Sequence, residues 1–203
     1  MKAIILLNGE PYEGTIDDTN ARVYCCDGAY RWAKGKVRID ETLGDFDSLD
    51  ITPEPPPRKI YPSEKDLTDG EIALYSAIQN GAKEIQIYGG GGKREDHFLG
   101  NLHLLYAALQ RGVKATLITN YASIFASKGE TELLEMEGRT VSILPFGSLV
   151  HIIKSEGFYY PLDGLDLVYG STRGISNVVI SQKASFFSEG VVLVIVNHRG
   201  KEG

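Results

Sequence analysis

Cysteine is scarce in these 203 residues: there are two, and they are adjacent, Cys25 and Cys26. On a strand such neighbours point to opposite faces, and bridging them would strain the peptide between them, so no structural disulfide is expected. A two-sulfur metal site needs spaced ligands, which the pair does not offer. They read as two small buried residues in a reducing compartment. Long apolar runs are also missing. The first apolar segment, "KAIILLNG", is too short to cross a bilayer and lacks the small-residue cleavage site of a signal peptide. It is expected to be a buried first strand of a cytoplasmic protein with no membrane partner. Nor is there a block of lysine or arginine long enough to track a nucleic-acid backbone, and the net charge is −6. Nucleic-acid binding is therefore not expected. An anionic substrate stays open, provided that local donors or metal ions counter its charge. There is no Gly-x-Ser-x-Gly elbow, and neither cysteine has an activating neighbour. His97 and His103 stand six apart, on different faces of one helix, which argues against a zinc pair. His151 and His198 fall in β-like segments and read as packing or surface residues.

What is present is the balance of a soluble globular chain, 42% hydrophobic and 24% charged, long enough for one large domain or two modest ones. Through residue 122, short apolar runs alternate with helical patterns. "AIILLNG", "RVYCCD", "EIQIYGG" and "KATLITN" read as strands ending in Gly, Asp or Asn. "DLTDGEIALYSAIQNG" has apolar residues at helical spacing, a Thr68-x-x-Glu71 capping box and Gly81 after its last turn. "EDHFLGNLHLLYAALQRG" repeats the pattern and stops at Gly112. This alternation predicts an α/β domain, residues 1–122, with a mostly parallel sheet. From residue 123 to 203 the texture changes. "TVSILPFG", "VHIIKSEGFYYPL", "SNVVISQKASFF" and "VVLVIVNH" are short, rich in β-branched and aromatic residues, and separated by Gly or Pro turns. They predict a small antiparallel β-sandwich domain.

The acids gather beyond the predicted strand ends. Asp27 follows "VYCC", Asp45 and Asp47 follow "VRIDETLG", and Asp96 follows "IYGGGGKRE". In open parallel sheets that rim binds ligands. If "GDFDS" is a strand end, Asp45 and Asp47 face the same way and repel unless a cation lies between them. Asp66 and Asp69, three apart at a helix start, are expected on one helix face, although Asp66 taken alone reads first as a cap. Collected on one rim, these carboxylates call for a hard divalent cation, with Mg²⁺ the usual partner of phosphates. The glycine run "YGGGGKREDH" supplies the opposite sign. Its backbone N–H groups can approach an anion, a helix starting near Glu95 adds its positive end, and Lys93 and Arg94 can complete a phosphate cradle. It is neither a Walker A loop nor a dinucleotide fingerprint.

Taken together, "GDFDS" at 44–48, "EKDLTD" at 64–69, "GGGGKREDH" at 89–97 and "STRGISN" at 171–177 resemble the thiamin pyrophosphokinases in order and spacing, over nearly the whole chain. The resemblance implies an enzyme that moves the β,γ-diphosphate of ATP to the hydroxyl of thiamin, releasing AMP and using Mg²⁺. It also implies a homodimer with active sites between subunits. It places Asp45, Asp47 and Asp69 at the metal and diphosphate centre, with Asp27 and Asp66 close by. Lys65, Arg94 and the glycines Gly89, Gly90 and Gly92 would meet the nucleotide phosphates, and Asp96, His97 and Asn101 belong to the same signature. In the β domain, Ser171, Arg173, Ser176 and Asn177 would line the thiamin site, Ser176 more than Asn177; without the resemblance, "STRGISN" is an ordinary turn. The animal members carry a tryptophan near the segment matching "GFYYPL", whereas the one tryptophan here is Trp32. Two other readings compete: the same transfer to another alcohol, such as a hydroxymethylpterin, and a non-catalytic nucleotide or thiamin sensor.

Overall fold

Five-residue apolar runs bounded by turn residues form strands when both faces are covered. The first is β1 (Lys2–Leu6), fully buried from Ala3 onward. In this computed structural model, which describes residues 1–46, 53–54, 59–60 and 66–200, the chain divides into two compact units, Met1–Asn120 and Tyr121–Gly203.

In the first unit β1 is followed by β2 (Ala21–Cys26), the one-turn helix α1 (Tyr30–Ala33), β3 (Glu41–Gly44) and β4 (Lys59–Ile60). After these come α2 (Asp69–Gln79), β5 (Glu84–Tyr88), α3 (Glu95–Leu109) and β6 (Lys114–Ile118). The sheet is parallel, in the order β6-β5-β1-β2-β3-β4. Ile4, Leu6, Val23 and Cys25 bury one face against Tyr30, Trp32 and Ala33. Tyr24 points to the other face, where its hydroxyl accepts from the Asn80 amide just past α2, 3.0 Å away. Thr68 caps α2 through a 3.2 Å bond from the Glu71 N–H. Cys25 and Cys26 are buried and reduced, as their spacing requires.

β1 has β2 on one side and β5 on the other, so the order of strands reverses there. Chain segments leaving β1 and β5 in opposite senses open a crevice at their carboxyl ends, the place where open α/β sheets bind ligands.

The second unit is antiparallel: β7 (Ala122–Leu134), β8 (Arg139–Pro145), β9 (Val150–Glu156), β10 (Leu165–Leu167), β11 (Asn177–Val178) and β12 (Lys183–Gly200). "ASFF" and "VVLVIVNH", expected as separate strands, are one strand, β12. It pairs with β7 along its length, while its opposite edge takes β9 on Ser185–Glu189 and β8 on Val192–Val196. A register shift between Ser188 and Val191, at Gly190, bends it so that both halves cover one core. That core includes Val141, Ile152, Phe186 and Val194. The 13-residue β7 is a strand that the sequence pattern does not predict.

Candidate active site

The crevice at the reversal point of the first unit is a cavity of about 770 Å³. Its floor is Leu7–Gly9 after β1, Cys26–Gly28 after β2 and Gly89–Gly91 after β5. Its walls are Thr68–Glu71 at the start of α2 and one side of α3 from Asp96 to Ala107.

The glycine loop is tied down from below. Gly89 O accepts from Gly9 N at 2.6 Å, Gly91 O from Glu10 N at 2.5 Å, and Gly90 O from Asn101 Nδ2 at 2.8 Å. In a trans peptide the N–H points opposite the C=O, so the amides of Gly90, Gly91 and Gly92 turn away from these anchors. Gly89 sits at φ 71°, and a Cβ there would meet the Leu7 carbonyl and the Trp32 ring. The indole is fixed beneath the loop by its own 3.0 Å bond to Leu7 O. Gly92, at φ 81°, turns the chain against Glu10, and of the four glycines in the run only Gly89, Gly90 and Gly91 line the cavity. Lys93 Nζ lies 3.5 Å from Asn8 Oδ1. Arg94 forks onto Asp96 with contacts of 3.1 and 2.6 Å. That pairing draws the Asp96 carboxyl down to about 2. His97, in the first turn of α3, lines the same cavity.

The carboxylates face this loop. Asp27 is 8% exposed and its Oδ2 accepts from Phe46 N at 3.1 Å. Burial raises its pKa first, followed by a hydrogen bond with Asp45 and the charges of Asp69 and Asp45. Asp45 and Asp69 therefore both crowd Asp27. β3 stops at Gly44 and Phe46 adopts φ 57°, so regular strand alternation ends before Asp45. Asp47 and Lys65 lie outside the described residues. Asp69 is the first residue of α2, while Asp66 precedes the cap Thr68. Asp66 is thus neither the cap nor on a helix face with Asp69, and it stands exposed. Among the described residues no three His, Cys, Asp or Glu side chains form a metal site.

In the second unit the candidates Ser171, Arg173 and Ser176 share the loop between β10 and β11, and Asn177 opens β11. Ser171, Arg173 and Ser176 are exposed, and Ser171 Oγ accepts from Arg173 N at 3.3 Å. Ser176 has φ 61°, and its N–H donates to Ser142 Oγ at 3.1 Å. Asn177 differs: it is 4% exposed, and its amide grips the main chain of Tyr160, accepting from the N–H at 3.0 Å and donating to the carbonyl at 2.8 Å. Asn177 is therefore a support beneath Tyr160, correcting its expected place on the site surface. Above it Tyr159 and Tyr160 are exposed, edge to face at 4.9 Å.

Residues 13–117 match the family described as thiamin pyrophosphokinase, catalytic domain, and residues 127–192 match thiamin pyrophosphokinase, vitamin B1 binding domain. Thiamine pyrophosphokinase of Bacillus subtilis (strain 168) is 37% identical over 165 residues, covering 76% of this chain and 77% of that protein. The chain belongs to the thiamin pyrophosphokinase family. Crystal structures of the family agree. That of the Bacillus subtilis enzyme superposes with a TM-score of 0.85 at 28% identity, covering 98% of this chain and 100% of that one. The Geobacillus thermodenitrificans protein gives 0.83 at 27%, covering 99% of each chain. The Candida albicans protein, at 16% identity and TM-score 0.77, covers 97% of this chain and 88% of that one and shares the fold.

Within this pyrophosphokinase chain, several cavity residues are not apparent from the sequence pattern. Asn8 and Gly9 read as the end of a buried strand, although Asn-Gly at the end of β1 is itself a loop signal. Gly28 lies so near the Asn8 amide that a Cβ would collide with it. Glu71 and His103 also line the cavity, although Glu71 reads in the sequence only as half of a capping box. His97 and His103 border one cavity despite their different helix faces, because the cavity wraps around that side of α3.

Proposed function

We propose that this chain transfers the β,γ-diphosphate of ATP to the hydroxyl of thiamin, giving thiamin diphosphate and AMP. Family membership gives the reaction, and one arrangement supports this reading: Asp27 and Asp69 line the same cavity as a glycine loop whose Gly89, Gly90 and Gly91 carbonyls are anchored to the scaffold. Such a loop, beside Lys93, Arg94 and the start of α3, suits a polyphosphate. Diphosphoryl transfer needs positioning and charge cancellation more than covalent help from protein.

In the reaction the thiamin hydroxyl oxygen bonds to the β-phosphorus. The bond from that phosphorus to the oxygen it shares with the α-phosphorus breaks, its electrons staying on AMP. The hydroxyl proton passes to a carboxylate of the Asp27, Asp45, Asp69 group or to Asp47. The raised proton affinity of Asp27 marks a group short of positive charge, which fits Mg²⁺, a cation that takes one or two carboxylates and fills its shell with phosphate oxygens and water. Asp45 and Asp69, with Asp47, would hold it, and when bound it neutralises charge on the transferred group. Gly89–Gly91, Lys93 and Arg94 bind the phosphates, joined by Lys65. Arg94 has five donors, so its fork to Asp96 leaves others for phosphate. Ser171, Arg173 and Ser176, with the tyrosines seated on Asn177, receive thiamin. A cytoplasmic homodimer with sites between subunits completes the reading; the exposed apolar residues of the second unit, among them Leu149, Ile153 and Tyr169, offer surface for it.

The test is an acceptor panel. With Mg²⁺ and ATP, thiamin is expected to be consumed while hydroxymethylpterin is not. Preference for the pterin, or tight thiamin binding without turnover, would overturn the proposal.

A further inference from the structure

The cavity is longer than a polyphosphate cradle. Its α3 wall runs from Asp96 to Ala107, roughly 16 Å of helix at the usual rise per residue. The glycine loop, Lys93 and Arg94 occupy the early end. Gly70 packs among Leu7, Leu104 and Asn101, and the next residue, Glu71, joins Ala107, late in α3, in the wall.

Glu71 is held there by a built support. Tyr75 Oη donates to Glu71 Oε1 at 2.9 Å. The Tyr75 ring is covered by the Arg111 guanidinium, 4.7 Å from its centroid, and Arg111 in turn donates to Ala107 O at 2.9 Å. The capping bond of α2 uses the Glu71 main-chain N–H, so the side chain is not required at the helix start. One carboxylate oxygen meets Tyr75, and an ionised carboxylate accepts through two. Beside phosphates such a group would repel; its bond to Tyr75, whose ring lies under Arg111 just past the end of α3, draws it from the glycine loop toward that end, where it suits a neutral hydroxyl donor.

We infer that Glu71 accepts a hydrogen bond from a ribose hydroxyl of the nucleotide, with Tyr75 as the positioning residue that aims it. This rests on the proposed use of ATP, and it adds the part of the cavity that distinguishes a ribonucleotide from a deoxynucleotide. Gly100, beside which a Cβ would meet nothing within 4 Å, leaves the neighbouring α3 surface open for the rest of the nucleoside.

The test compares ATP with 2′-deoxy-ATP and 3′-deoxy-ATP in wild type, Glu71→Ala, Glu71→Gln and Tyr75→Phe. Wild type should favour ATP over at least one deoxy analogue by about tenfold in kcat/KM, the worth of one good hydrogen bond to a charged group. Glu71→Ala should bring that ratio near one, and Tyr75→Phe should lower it in part, both with the KM for thiamin unchanged. Glu71→Gln, which keeps an acceptor, should retain part of the preference and guards against a poorly folded alanine variant. Calorimetry of the same nucleotides without thiamin should give the same ordering. That measurement separates this inference from the choice of acceptor alcohol, since a chain acting on another alcohol would still show it. A wild-type ratio near one, a ratio that survives Glu71→Ala, or a rise in the KM for thiamin instead would overturn it.

Discussion

The two units each hold one bulky or polar residue in the left-handed region inside a motif: Phe46 in "GDFDS" and Ser176 in "STRGISN". In the first unit the unusual backbone serves a carboxylate, because it directs the Phe46 N–H to Asp27 and brings Asp45 against it. In the second it serves a loop, because it sets the Ser176 N–H on Ser142 and leaves the Ser176 side chain exposed above the buried Asn177. Residues held in such conformations cluster where surrounding structure over-determines them, and function is a common reason. The difference is in what is concentrated. Parallel strands deliver charge to one rim, whereas the antiparallel unit delivers surface, with its polar groups turned inward as supports.

That contrast predicts different failures. Asp45→Asn should lower kcat by about a hundredfold or more, in the range seen when one electrostatic contact to a transition state is lost. Its melting in metal-free buffer should hold or rise, since one of the crowded charges is removed. Asn177→Ala should do the opposite, costing about 1–3 kcal/mol of stability by stranding buried polar groups of the Tyr160 peptide, with the KM for thiamin rising and that for ATP unchanged. Denaturant melts beside initial rates with each substrate varied would show both. A smaller effect concerns pH. Asp27 holds its proton more tightly in the folded chain than in the unfolded one, chiefly through burial. Metal-free stability should therefore rise as pH falls from neutral through the raised folded pKa toward about 4, the ordinary carboxylate value. Asp27→Asn should flatten that slope, and melts across the range would reveal it.

Periodic elements are legible in the sequence. α2, with its Thr68 cap, and α3 follow from apolar spacing and end signals, and the glycine loop follows from composition. β7 is hidden because "ASIFASKGETELL" interrupts its apolar residues with Ser, Lys and Gly129, so it lacks the run or clean alternation that marks a strand. β12 reads as two strands because Gly190 looks like a turn, while in the fold it bends a continuous strand. At the site, the acidic rim is visible because strand ends locate it. The positive φ of Phe46 is not, since a bulky residue there runs against local preference and only the surrounding packing sets it. Asn177 reads as a surface residue because a polar side chain in a turn usually belongs there. Its bonds to Tyr160 span 17 positions and leave no local pattern.

The proposed placement of catalysis at this rim has a polyphosphate lying across the first unit with its second phosphorus open to attack. The most direct measurement is the nucleotide product when purified protein, Mg²⁺, ATP and thiamin are combined and followed by chromatography. AMP should appear in step with thiamin diphosphate, one for one. ADP accompanied by thiamin monophosphate would mean that the terminal phosphorus is the one attacked, and would contradict that placement of the polyphosphate.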